Sequence, residues 1–215
     1  MGQARLRAAA REQLNEAMIK VDLPRLSAAM RKLASAASGQ LGGDCYIHSS
    51  IAQAILGRMG VEAKIITGFS AWRLGNASGD VIVHAPIPGM PDQPGLPYHV
   101  WLEIGSHILD LTTWSLRLKS KQLDELDGGH TNVDWCPDFL YVPKRTVSSL
   151  KDVTNLGAGL YYYEFNQATA DRVNAAASAP DEGDIEICWT LYNNPALAVY
   201  GPNDVPQNAL IISQV

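Results

Sequence analysis

Residues 98–112 read Tyr98-His99-Val100-Trp101-Leu102-Glu103-Ile104-Gly105-Ser106-His107-Ile108-Leu109-Asp110-Leu111-Thr112. Two runs rich in β-branched, aromatic and aliphatic residues flank Gly105-Ser106, a pair suited to a tight turn, so the stretch predicts an antiparallel hairpin of strands 98–104 and 107–111. With the turn at 105–106, His99 and Asp110 lie on paired strands within about two residues of cross-strand register, where side chains can meet. The segment just upstream, 85–97, holds Pro86, Pro88, Pro91, Pro94 and Pro97 and is expected to be an irregular loop.

Further upstream, Ala63–Thr67 and Val81–Val83 read as strands, and the chain before them reads as three helices. The first spans about 4–20. The second opens at Pro24, carries Leu26, Ala29, Met30 and Leu33 on one stripe, and ends at Gly39. After the loop Gly39-Gln40-Leu41-Gly42-Gly43, Asp44 is a suitable N-cap for the third, whose face is Ile47, Ile51, Ala54, Ile55 and Met59 and whose stop is Gly60. Downstream the pattern predicts a helix near 115–126, a Gly128-Gly129 break, a strand at Tyr161–Phe165 with one face exposed, a helix near 167–178 and a strand near Ile185–Leu191. Helices first and antiparallel strands afterwards is the α+β pattern.

A chain of 215 residues fits one domain, against roughly 100–200 residues per domain. Within it, 1–38 forms N-terminal helices, 39–115 carries the chemical motifs, and 116–215 completes the domain. The net charge of −5 argues against nucleic acid as the main partner. Every apolar stretch is interrupted well short of the roughly 18 residues of a membrane span, so no membrane partner is expected. Arg5 and Arg7 precede only three alanines, which is no signal-peptide core, and the mature chain is expected to start at or near Met1. Cys45, Cys136 and Cys188 show neither a disulfide framework nor a four-cysteine zinc pattern, which points to a reducing, cytoplasmic setting.

Cys45 is the most informative residue, because it falls in the first turn of a helix after a glycine-rich loop. Unpaired backbone N–H groups and the helix dipole favour the thiolate there, and the Cys45 amide is itself a candidate oxyanion donor. The competing reading is a small buried core residue, the usual fate of a free cysteine. His99 and Asp110 add a base and a group to orient it: Asp110 can hold one imidazole nitrogen while the other takes the thiol proton. Gln40, five residues before Cys45, is the candidate second oxyanion donor. Trp101, between His99 and Glu103, is the tryptophan chosen as a substrate contact, the five tryptophans otherwise reading as core or groove lining. Cys45, His48 and either His84 or His107 lack a convincing ligand spacing, so no metal is assigned.

Taken in order, Gly43-Asp44-Cys45, the turn Gly60-Val61-Glu62-Ala63-Lys64 into Ile65-Ile66-Thr67-Gly68, His99-Val100-Trp101-Leu102-Glu103, and Ile108-Leu109-Asp110-Leu111-Thr112 resemble the transglutaminase-like branch of the papain-like cysteine enzymes. The resemblance covers roughly 39–115. It implies a papain-like core, with a catalytic Cys45 at a helix N-terminus packed on an antiparallel sheet that carries His99 and Asp110. It also implies a cofactor-independent enzyme that cleaves or transfers an amide or acyl bond through a thioester, acting on a peptide or protein. Members hydrolyse amides, join glutamine to amines or transfer acyl groups, and some have lost activity, so acyltransferase or transglutaminase chemistry and a non-catalytic peptide-binding module stand as alternatives. Gly42-Gly43-Asp44-Cys45 also echoes the Gly-Gly-x-Cys of arylamine N-acetyltransferases, but Leu41, Ile47 and Ser49 stand where that family has Arg, Glu and Asn. The oligomeric state is not legible in the sequence.

Overall fold

The computed structural model describes residues 18, 20–37, 45–74, 80–86, 97–133, 135–154 and 159–204. The expected first helix, Gln40 with its glycine loop, Asp44 and most of the proline-rich segment lie outside them. Along the chain come α1 (Leu23–Ala37), α2 (Cys45–Arg58), β1 (Lys64–Arg73), β2 (Val81–His84), β3 (His99–Ile104), β4 (His107–Asp110), α3 (Leu116–Asp127), β5 (Leu140–Pro143), α4 (Leu150–Thr154), β6 (Tyr161–Phe165), α5 (Gln167–Ala176) and α6 (Glu182–Asn193). The class is α+β, with every strand pair antiparallel.

Register fixes how the sheet is laid out. Gly68 on β1 lies opposite both His99 and Phe165, and Ser70 lies opposite both His84 and Tyr163. A residue with two partners has one on each edge, so β6 runs along one side of β1 while β2 and β3 follow each other along the other. β4 and β5 continue outward from β3. Four strands separate β6 from β4 inclusive, a span of about 14 Å if the sheet were flat. Yet the Tyr163 hydroxyl on β6 reaches Asp110 on β4 at 2.8 Å. The sheet must therefore curl, bringing the face that carries Trp72, His99, Asp110 and Tyr163 around on itself. Ser148 N–H, just after β5, donates to the Tyr161 carbonyl on β6 and ties the two ends of the curl together.

The outer face is covered by α1, α2 and α6, where Leu26, Met30, Ile51, Ile55 and Cys188 pack on Leu102, Ile104 and Leu109. α2 stops where the sequence places its stop: Gly60, at φ 78°, lets Val61 N–H bond the Leu56 carbonyl and Gly60 N–H the Gly57 carbonyl. That is the left-handed helix end glycine permits, with Val61 and Leu56 both buried against the same core.

Two expectations are corrected. The segment from Ile185 to Leu191 is not a strand but part of α6, capped by Asp181, whose side chain accepts from Gly183 N–H at 2.6 Å. Its buried positions, Ile185, Cys188, Leu191 and Tyr192, fall at helical spacing. On β6, Tyr162 and Tyr163 are both buried, at 7% and 9% exposure, because the curl encloses one face and α4 with Ala71 and Ala85 covers the other.

Candidate active site

Ser49, one turn after Cys45 on the same side of α2, donates to the Val100 carbonyl at 3.3 Å. This pins the start of α2 to the start of β3 and brings Cys45 beside His99, near enough to act on the imidazole. On the hairpin, Leu102 pairs with Leu109, which puts His99 two residues out of register with Asp110, as the turn at 105–106 predicts. His99 Nε2 meets Asp110 Oδ2 at 2.8 Å. With Nε2 committed to the carboxylate, Nδ1 is the ring nitrogen left for Cys45. The structure thus brings together the three side chains singled out from sequence, with Cys45 4%, His99 3% and Asp110 1% exposed.

Asp110 is saturated with donors. Oδ1 accepts from Thr112 N–H at 2.9 Å and Thr112 Oγ1 at 2.8 Å, while Oδ2 takes His99 and the Tyr163 hydroxyl. Burial pushes the Asp110 carboxyl up, but the His99 charge and hydrogen bond, with those of Thr112, hold it below its usual range. Burial likewise pulls His99 down; the Asp110 charge and hydrogen bond, assisted by Cys45, outweigh it and push the imidazole up to about 9. His99 is therefore an imidazolium at neutral pH, facing sulfur on one side and carboxylate on the other. Tyr163 is driven well above its ordinary value by burial and then by the Asp110 charge, so it stays a neutral donor.

An aromatic wall surrounds the imidazolium. Trp72 stands edge-on to His99 with ring centroids 4.8 Å apart and donates Nε1–H to the Tyr163 hydroxyl at 2.7 Å. Trp101 stacks near His99 at 6.3 Å and meets Tyr163 edge-on at 5.2 Å. Trp101 is 2% exposed, because strand alternation turns it to the enclosed face with His99. Its open side instead borders a cavity of about 400 Å³, lined also by Glu103, Ile108, Lys144, Tyr163 and Phe165, with Glu103 paired to Lys144 at its rim. Cys45 does not line that cavity.

Tyr163 and Trp72 were not separable in sequence from ordinary strand aromatics, whereas Thr112 stands two residues after Asp110 in a motif already quoted. Two more candidates can be placed. Among the described residues no cluster of three or more metal-ligating side chains forms. His107 stacks on Tyr141 at 4.7 Å, at the far end of β4 from Asp110. His84, by contrast, sits 5.0 Å from Trp72 and 5.7 Å from His99 between ring centroids, within the site's wall.

Comparison with known proteins yields no matching family model and no matching curated protein. The fold is similar to the crystal structure of genomics APC5867, with 17% sequence identity and a TM-score of 0.55 over 79% of this chain and 76% of that chain. At that identity the likeness speaks to the α+β fold alone. Among the described residues, no helix is long and apolar enough to cross a membrane.

Proposed function

We propose that this chain is a cysteine-dependent enzyme of the transglutaminase-like, papain-like kind, cleaving or transferring an amide or acyl bond of a peptide or protein. The observation that carries the reading is the buried set of Cys45, His99 and Asp110, with His99 hydrogen-bonded to Asp110 and Cys45 beside it. Cys45 Sγ, having passed its proton to His99, would attack the carbonyl carbon, the carbonyl π electrons moving to oxygen. As that oxyanion collapses, the C–N bond breaks and His99 gives its proton to the departing amine, leaving a thioester on Cys45. Neutral His99 then takes a proton from water as the hydroxyl adds to the thioester carbonyl; the C–S bond breaks, the acid leaves and His99 shares its proton with the freed sulfur, and an amine in place of water gives transfer. Asp110 keeps the Nε2–H in place throughout. The Cys45 amide and Gln40 are the oxyanion donors this reading invokes, Trp101 is its wall residue, and the chemistry calls for no cofactor. A cytoplasmic setting suits three cysteines that are all unpaired.

The test is thiol reactivity. Limiting iodoacetamide at pH 6 should label Cys45 ahead of Cys136 and Cys188 in the folded protein, as mapped by peptide mass spectrometry. The reason is that Cys45 stands beside the His99 imidazole that would take its proton, whereas burial raises Cys136 and pushes Cys188 up to about 12. His99→Ala should remove the preference. One observation favours a second reading: Cys45 and His99 are almost fully covered. If Cys45 reacts only after unfolding, the chain is a non-catalytic module and the enzyme reading falls.

A further inference from the structure

Two basic groups near the Cys45 and His99 pair take no part in the chemistry above. His84 is 9% exposed, and neither of its ring nitrogens has a hydrogen-bond partner. Leu116 on α3 packs in one cluster with Trp72 and Ile82. Lys119 follows Leu116 by one helical turn, and His84 follows Ile82 on the same face of β2, so the ammonium lies near enough for its charge to act on the imidazole. Lys119 is half-buried and forms no ion pair among the described residues, while feeling the charge of Cys45. Burial, and then the positive charges of Lys119 and His99, keep His84 neutral, with an N–H to donate. Among the described residues neither this half-buried cation nor this buried imidazole has an acceptor, and the pair is complementary to an anion.

We propose that Lys119 and His84 form a carboxylate subsite, so that the preferred substrate carries a carboxylate close to the carbonyl that Cys45 attacks, as a peptide C-terminus or an acidic side chain does. The inference rests on the enzyme reading for its meaning but is tested apart from it. The rival role for Lys119 is simply to stabilise the Cys45 thiolate.

Iodoacetate and iodoacetamide are nearly the same size and differ by one carboxylate. At low ionic strength, the iodoacetate-to-iodoacetamide rate ratio at Cys45, referenced to that at Cys136, should exceed unity and fall on the order of fivefold in Lys119→Met, with Lys119→Arg restoring it. If both rates fall together and the ratio stands, Lys119 serves the thiolate and the subsite is overturned. The second arm uses Cys45→Ala protein, N-acetylglycine and N-acetylglycinamide, with His84 followed by imidazole NMR. A shift with the acid alone, lost in Lys119→Met, supports the subsite whether or not Cys45 is reactive. No shift with either compound, or equal shifts with both, overturns it and leaves the enzyme reading to the labelling experiment.

Discussion

Asp110→Asn isolates what one carboxylate does for the imidazolium. The asparagine oxygen can keep Thr112 N–H and Oγ1, but its amide N–H groups then face Tyr163 and His99 Nε2. Tyr163 can rotate its hydroxyl to accept, whereas Nε2 can accept only as the neutral ring protonated on Nδ1, the tautomer that confronts Cys45 with a proton. With the carboxylate charge gone, burial is opposed by Cys45 alone, and the imidazole should fall from about 9 toward or below the ordinary 6.5. Raised from 6.5 to about 9, wild-type His99 contributes about 3 kcal/mol of stability. Because the folded value is the higher one, that contribution is complete below pH 6.5 and disappears as pH rises through about 9. Between these limits wild-type stability in urea should drop by about 3 kcal/mol more than that of Asp110→Asn. Nitrogen NMR of the His99 ring should find a cation at pH 7.5 in the wild type and a neutral ring in the variant. Turnover, on any substrate found, should fall by roughly 10²–10⁴. A folded Asp110→Asn protein whose His99 still titrates near 9 would show that Asp110 does not hold the charge.

Tyr163→Phe removes a donor from Asp110 and strands the buried Trp72 Nε1–H, so it should cost about 1–3 kcal/mol in urea unfolding; an unchanged midpoint would mean that neither hydrogen bond matters to stability. Gly68→Ala would drive a Cβ into the Glu164 carbonyl on β6 and should cost about 3 kcal/mol or more by the same measurement. Wild-type stability there would mean that β6 can shift without loss.

The hairpin was legible because its signals are local: two short strands, a Gly-Ser turn, and an imidazole and a carboxylate placed by register. α2 was legible for the same reason, from its glycine stop and the spacing of Ile51 and Ile55. α6 was not. Ile185, Ile187, Trp189 and Leu191 alternate with Glu186, Cys188 and Thr190 in the period of a strand, yet the structure leaves Ile187 39% exposed and buries Cys188 against Met30. The cap at Asp181 and the acidic first turn were the better signal, and helix packing on α1 overrode the alternation. β5 was not assigned from sequence, because a four-residue run ending in Pro143 carries too short a pattern until β4 offers an edge to pair with. Tyr163 could not be assigned to Asp110 by any local pattern, since its reach depends on how far the whole sheet curls.

A buried ion pair is a poor device for stability, because hydrophobic residues of similar volume commonly do as well or better. The surroundings of His99 and Asp110 are apolar enough to have held such residues: Trp72, Trp101, Ile108 and Tyr163 already form one cluster around them. Instead, the fold commits Thr112, Tyr163 and, through Tyr163, Trp72 to a single carboxylate. Those bonds do not merely offset the desolvation of Asp110; they fix the position of Oδ2 and so decide which imidazole nitrogen keeps its proton. The beneficiary is the other nitrogen, and its neighbour is Cys45. A core that commits four donors to orient one ring toward one sulfur is what the proposed chemistry at that sulfur requires, and packing alone does not call for it.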